Sequence, residues 1–71
     1  MAYQLEEEQA LQRKRLTDKA VNLAVQGRWE EAKKLNKVII AGFPGDVEAY
    51  NRLGKALTEL GEFAQAKKAY R

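Results

Sequence analysis

The sequence contains no cysteine, no histidine and no serine. The missing cysteine excludes disulfide bonds, thiolate nucleophiles and thiolate metal ligands. Without histidine or serine, the common nucleophile–base pairs and most transition-metal ligand sets are excluded as well. The acidic clusters Glu6–Glu8 and Glu30–Glu31 are contiguous in sequence, so their carboxylates point around a helix and do not converge on one point. We therefore expect a protein that is not an enzyme and that holds no cofactor and no metal ion.

Long apolar runs are also missing. No apolar stretch approaches the roughly 18 residues that a membrane-spanning helix needs, and the N-terminal segment has neither the basic nor the apolar region of a signal peptide. The hydrophobic share of 45% and the charged share of 32% suit a folded helical chain. We therefore expect a cytoplasmic protein that makes no contact with a membrane.

Proline and glycine are scarce, with one proline and five well-spaced glycines in 71 residues. This pattern, together with the absence of strand-like alternation, predicts helices joined by short turns. A chain of this length buries only about 60% of its unfolded surface, so its core is marginal without a disulfide, a metal or a partner. Three explanations remain open, namely very regular helix packing, oligomerisation, or membership of a longer protein.

A repeat with a period of 34 residues runs through the chain. It relates Leu23 to Leu57, Gly27 to Gly61, Trp29 to Phe63, and Ala32 to Ala66. Each unit reads as a helix that ends at a glycine, followed by a second helix that begins at an aromatic residue. The segment 42–45 breaks the chain between the units, and Asp46 is a candidate N-cap for the third helix. The predicted core faces include Val47, Phe63 and Tyr70.

The second unit resembles the tetratricopeptide repeat family, whose pattern is W-x2-L-G-x2-Y, then A-x3-F, then P. It reads Tyr50-x2-Leu53-Gly54-x2-Leu57, followed by Ala66-x3-Tyr70. The first unit keeps Ala20, Ala32 and Pro44 in register. It departs from the pattern at Lys19 and Asn36, where the family is apolar.

The resemblance implies an all-α fold of antiparallel helix-turn-helix hairpins, stacked as a short right-handed α-solenoid of about four helices. The expected organisation is an N-terminal helical extension (1–12), a first repeat (13–46), and a second repeat that is truncated in its second helix (47–71). Repeat arrays usually need about three units and a polar cap. We therefore expect the chain to be part of a longer array, with a dimerising mini-domain as the alternative.

The resemblance also implies a protein-interaction scaffold that binds a peptide or helix of a partner protein in a concave groove. Carried over position by position, the groove residues are Lys14, Thr17, Val21, Ala24, Val25, Glu48, Asn51, Lys55, Thr58 and Glu59. The first half of this groove is largely apolar, and the second half is polar and charged. The alternative is that the N-terminal extension, a missing repeat or a dimer mate covers the two valines.

Two other functions stay open. Homodimerisation could use the apolar face of the last helix, which carries Phe63, Ala66 and Tyr70. Nucleic-acid binding could use a basic ridge on the second helices, in a chain of net charge +3; the ridge residues are Lys33, Lys34, Lys37, Lys67, Lys68 and Arg71. Because no aromatic residue is interleaved with this ridge, the sequence favours a solvated face over a nucleic-acid site.

Overall fold

Four α-helices form the fold in the computed structural model, which describes residues 2–70 and the side chains of residues 4–70. They are α1 (Ala2–Val25), α2 (Trp29–Gly42), α3 (Val47–Glu59) and α4 (Phe63–Ala69). Helix α1 packs on α2, α2 on α3, and α3 on α4. The described residues form no strand. The predicted all-α hairpin fold is confirmed, while Met1 and Arg71, the outer ends of the predicted segments, lie outside the described residues.

The two helical hairpins, α1–α2 and α3–α4, have the same type of connecting turn. Gly27 has a φ of 73°, in the left-handed region that glycine adopts without a steric penalty. Its N–H donates to the Ala24 carbonyl at 2.9 Å, and the N–H of Arg28 donates to the Leu23 carbonyl at 2.9 Å. These two bonds define the Schellman motif, which satisfies carbonyls that a helix end leaves free. The motif recurs 34 residues later, at Leu57, Thr58, Gly61 and Glu62.

Between the hairpins, α2 ends at Gly42, and an N-cap residue precedes α3. The Asp46 carboxylate oxygen Oδ1 accepts a hydrogen bond from the Ala49 N–H at 3.1 Å. The N-cap predicted at Asp46 is thus confirmed, and it satisfies one of the donors that a helix N-terminus leaves free. Helix α2 ends at Gly42, because Pro44 disfavours helical geometry in Phe43, the residue that precedes it.

Replacing Asp46 with alanine is expected to lower the free energy of unfolding by about 1 kcal/mol, because the cap bond to Ala49 is lost. Urea unfolding followed by far-ultraviolet circular dichroism measures this change. Asp46→Asn is the matched control, since asparagine keeps a capping oxygen and should remain close to the parent. An equal loss in both variants would show that the carboxylate acts in some way other than capping.

Small side chains bring the helices close together. Two of the three core clusters join α1, α2 and α3, and the third joins α3 and α4. Alanines supply most of the buried positions, so the helix backbones approach one another with little side-chain bulk between them. The clusters are Ala20, Ile39 and Ala49; Leu23, Ala32 and Ala56; and Leu53, Leu57, Ala66 and Ala69.

Gly54 allows the closest approach between α3 and the end of the described chain. A Cβ atom placed on Gly54 would lie 2.7 Å from ring atoms of Tyr70, closer than such atoms pack. The ring of Tyr70 therefore rests directly on the α3 backbone. This contact explains why the helix interior tolerates a residue that costs about 1 kcal/mol relative to alanine.

Three residues predicted for core faces are exposed instead. The exposed fractions are 67% for Val47, 67% for Phe63 and 46% for Tyr70. Trp29, the counterpart of Phe63 in the first hairpin, is half-buried beside the core cluster that contains Ala56 of α3. In the described residues no helix follows α4, so nothing covers Phe63 in the way that α3 covers Trp29.

Candidate functional site

Helices α1 and α3 lie next to each other and run in the same direction. Ala20 of α1 shares a core cluster with Ala49 of α3, and Leu23 shares another with Ala56. Both helices therefore turn one side toward α2 and leave neighbouring sides exposed. Ten of these outer positions were predicted as groove residues, and the structure places eight of them as exposed and two as half-buried.

The α1 part of this surface is aliphatic. Val25 is 81% exposed and Val21 is 43% exposed. They are four residues apart, which places them on the same side of the helix. Thr17 and Ala24 are half-buried beside them. Two adjacent exposed valines form a small apolar patch that the described chain does not cover.

Ion pairs within each helix neutralise the lysines of this surface. Lys14 Nζ lies 2.9 Å from an Asp18 carboxylate oxygen, and Lys55 Nζ lies 2.9 Å from one of Glu59. The hydrogen bond that Lys55 donates to the Glu59 carboxylate is the main cause of the raised pKa of Lys55. Lys55 Nζ also lies 6.0 Å from the centroid of the Trp29 ring. Because Trp29 begins α2, this contact places the middle of α3 beside the α1–α2 turn.

The remaining α3 positions are polar. The side chains of Glu48 and Asn51 are exposed, and neither forms a hydrogen bond within residues 4–70. The Thr58 hydroxyl donates to the Gly54 carbonyl at 2.8 Å, so its donor is already used within the helix. The surface as a whole therefore combines an aliphatic α1 patch with an α3 side that offers an amide and a carboxylate.

A buried polar pair joins α2 to α3, and the sequence did not predict it. Asn36 is 1% exposed; its amide Nδ2 donates to the Ala32 carbonyl at 2.9 Å, and its Oδ1 accepts from Arg52 Nε at 3.0 Å. Arg52 Nη2 is buried with no hydrogen-bond partner among the described residues. The only sequence signal was the polar residue at position 36, where the repeat family is apolar. The pair is structural, because the described chain covers it.

The predicted basic ridge is partly neutralised. Lys33 Nζ lies 2.8 Å from Glu30 and 3.2 Å from Glu62, so that it bridges the two hairpins. The hydrogen bond that Lys33 donates to the Glu30 carboxylate is the main cause of the raised pKa of Lys33. Arg71 lies outside the described residues. The exposed members of the ridge are Lys34, Lys37, Lys67 and Lys68.

The three residues predicted for self-association do not share one exposed face. Phe63 and Tyr70 are exposed, but Ala66 is only 4% exposed and packs with Leu53 and Leu57. Ala66 faces α3, so it is not available to a second chain. Self-association through Phe63 and Tyr70 stays a hypothesis.

No helix in the described chain is long and apolar enough to cross a membrane. Among residues 2–70, no three or more carboxylate side chains come together in a way that could hold a metal ion.

Comparison with known proteins agrees with the architecture. A family model described as tetratricopeptide repeat matches residues 17–71, which include the C-terminal part of α1 and all of α2, α3 and α4. Neither the curated proteins nor the solved structures gave a match. The matched range contains both glycine turns and the repeated small residues. The chain therefore belongs to the tetratricopeptide repeat family, whose members generally mediate protein–protein interactions.

Proposed function

We propose that the chain is a non-catalytic scaffold that binds an extended peptide or a helix of a partner protein on the outer side of α1 and α3. Family membership supports the general role. The observation that carries the specific assignment is the exposed pair Val21 and Val25, 43% and 81% exposed on one side of α1. Contact with a partner would remove this aliphatic surface from water.

The chemistry of the surface indicates what the partner presents. An apolar side chain of the partner packs on Val21 and Val25, while the amide of Asn51 hydrogen-bonds to the backbone of the bound segment. Because Lys14 and Lys55 are held in ion pairs, a strongly charged partner gains little from them. We therefore expect the partner to be a peptide that is anchored by apolar contact and oriented by hydrogen bonds.

The test uses a random peptide library displayed on phage, selected against the full chain. The selected peptides are then measured by fluorescence anisotropy. Val25→Asp is expected to weaken binding by about tenfold, because burying a valine is worth roughly 1.5 kcal/mol. The substitution leaves the fold intact, since the side chain is exposed.

Val38→Asp is the matched control, because Val38 is 55% exposed on α2, away from the proposed surface. It should leave the affinity of the selected peptides close to that of the parent. The proposal is wrong if the two variants weaken binding equally, or if selection yields no peptide that binds the folded chain.

A further inference from the structure

The charges of this chain are segregated along its length. Residues 4–12, the acidic arm, contain three glutamates and no basic residue, whereas the net charge of the whole chain is +3. Every residue of the arm is exposed. The arm lies in the N-terminal half of the continuous helix α1, and the rest of the chain is basic overall. An acidic helix and a basic surface of the same molecule are therefore both open to solvent.

One face of the acidic arm combines carboxylates with an apolar residue. Gln4, Glu7, Glu8 and Leu11 share one side of the helix and line a common depression in its surface. Leu11 is 47% exposed. A helix face of this kind, with two carboxylates beside a leucine, fits a groove that has an apolar floor and a basic rim.

The body presents such a groove on the side of α3 that faces away from the proposed peptide-binding surface. We name it the basic groove; it has a volume of about 260 Å³ and is lined in part by Lys37, Leu53, Leu57, Lys68 and Ala69. The leucines of α3, which are 8% and 2% exposed, form the floor, and the two lysines lie on α2 and α4. No carboxylate is among the residues that line it. Neither lysine forms a salt bridge within residues 4–70.

The acidic arm does not occupy the basic groove of its own chain. The groove is built from α2, α3 and α4, whereas α1 packs on α2 and contributes no residue to the groove. Since α1 is one uninterrupted helix, the arm is held in line with the rest of α1. The arm can therefore reach a basic groove only on another molecule.

We propose that the chain associates with a second copy of itself by docking the acidic arm of one molecule in the basic groove of the other. Glu7 and Glu8 then face Lys37 and Lys68, and Leu11 covers the floor formed by Leu53 and Leu57. Two copies that exchange arms form a closed two-fold dimer, whereas one-way docking builds an open chain of molecules. The contact does not involve Val21, Val25 or the rest of the proposed peptide-binding surface, so the two proposals stand or fall separately.

Sedimentation velocity over a range of concentrations, at low and at high salt, tests the proposal with the full chain. The parent is expected to associate at low salt and to dissociate at high salt, because the contact depends on exposed charges. The double substitutions Glu7→Lys with Glu8→Lys, and Lys37→Glu with Lys68→Glu, should each raise the dissociation constant about tenfold or more. An equimolar mixture of these two variants should associate again, since a basic arm then meets an acidic groove.

The matched control is Lys19→Glu with Lys34→Glu, which changes the net charge by the same amount at two exposed lysines that do not line the basic groove. It should leave the dissociation constant close to that of the parent. Three results would overturn the proposal: a parent that stays monomeric at low salt, association that both charge reversals leave unchanged, or reversed variants whose mixture fails to associate. A monomeric parent that binds an unrelated acidic helical peptide in the basic groove would assign that groove to a different partner, and would overturn the proposal as well.

Discussion

Replacing Ile39 with alanine is expected to lower the free energy of unfolding by about 2–5 kcal/mol. Ile39 is completely buried and packs with Ala20 of α1 and Ala49 of α3. The substitution removes three methyl or methylene groups and leaves a cavity at the point where three helices meet. A chain of 71 residues has a total stability of only about 4–10 kcal/mol. This single change therefore removes a large part of the stability.

Urea unfolding followed by circular dichroism measures the effect, and Val38→Ala provides the control. Val38 is the neighbour of Ile39 in α2 but is 55% exposed, so its truncation should change the stability by no more than about 0.5 kcal/mol. Losses of similar size in the two variants would contradict the core position of Ile39.

Replacing Asn36 with alanine should cost about 2 kcal/mol, because it leaves Arg52 Nε without the acceptor that now lies 3.0 Å away. The Nη2 atom of the same guanidinium already lacks a partner among the described residues. The substitution would thus leave a second donor of this half-buried arginine without a partner among the described residues. Thermal and urea unfolding both report the loss.

The matched variant replaces both partners, Asn36→Leu together with Arg52→Met. It should be close to the parent in stability, because removing a whole polar pair leaves no unsatisfied group behind. The interpretation fails if the double variant is as unstable as Asn36→Ala, since the loss would then come from side-chain volume and not from the orphaned guanidinium.

The helix boundaries could be predicted because their causes are local in sequence. Gly27 and Gly61 end helices through their own backbone geometry, and Asp46 caps α3 through a bond to a residue three positions away. Pro44 restricts its own neighbour. Each of these signals is complete within a few residues, so the sequence alone was sufficient to predict four helices.

The errors arose where burial depends on distant parts of the chain. Phe63 occupies the same repeat position as Trp29, but its exposure depends on whether another helix follows α4. The Asn36–Arg52 pair joins residues 16 positions apart in sequence. No local pattern reports such a contact, and the polar residue at position 36 was visible only as a departure from the family. The groove positions came from the family resemblance, and binding there stays a proposal.

The duplicated Schellman turns have a consequence for how the chain folds. Each turn joins two helices that are consecutive in sequence, and the main helix contacts are all between consecutive helices. The loops that must close are therefore short, and their entropy cost is small. Folding can begin at either hairpin and spread to the other, with rates typical of proteins dominated by local contacts. The first hairpin can thus nucleate folding, and its core is completed when Ala49 and Ala56 of α3 pack on it.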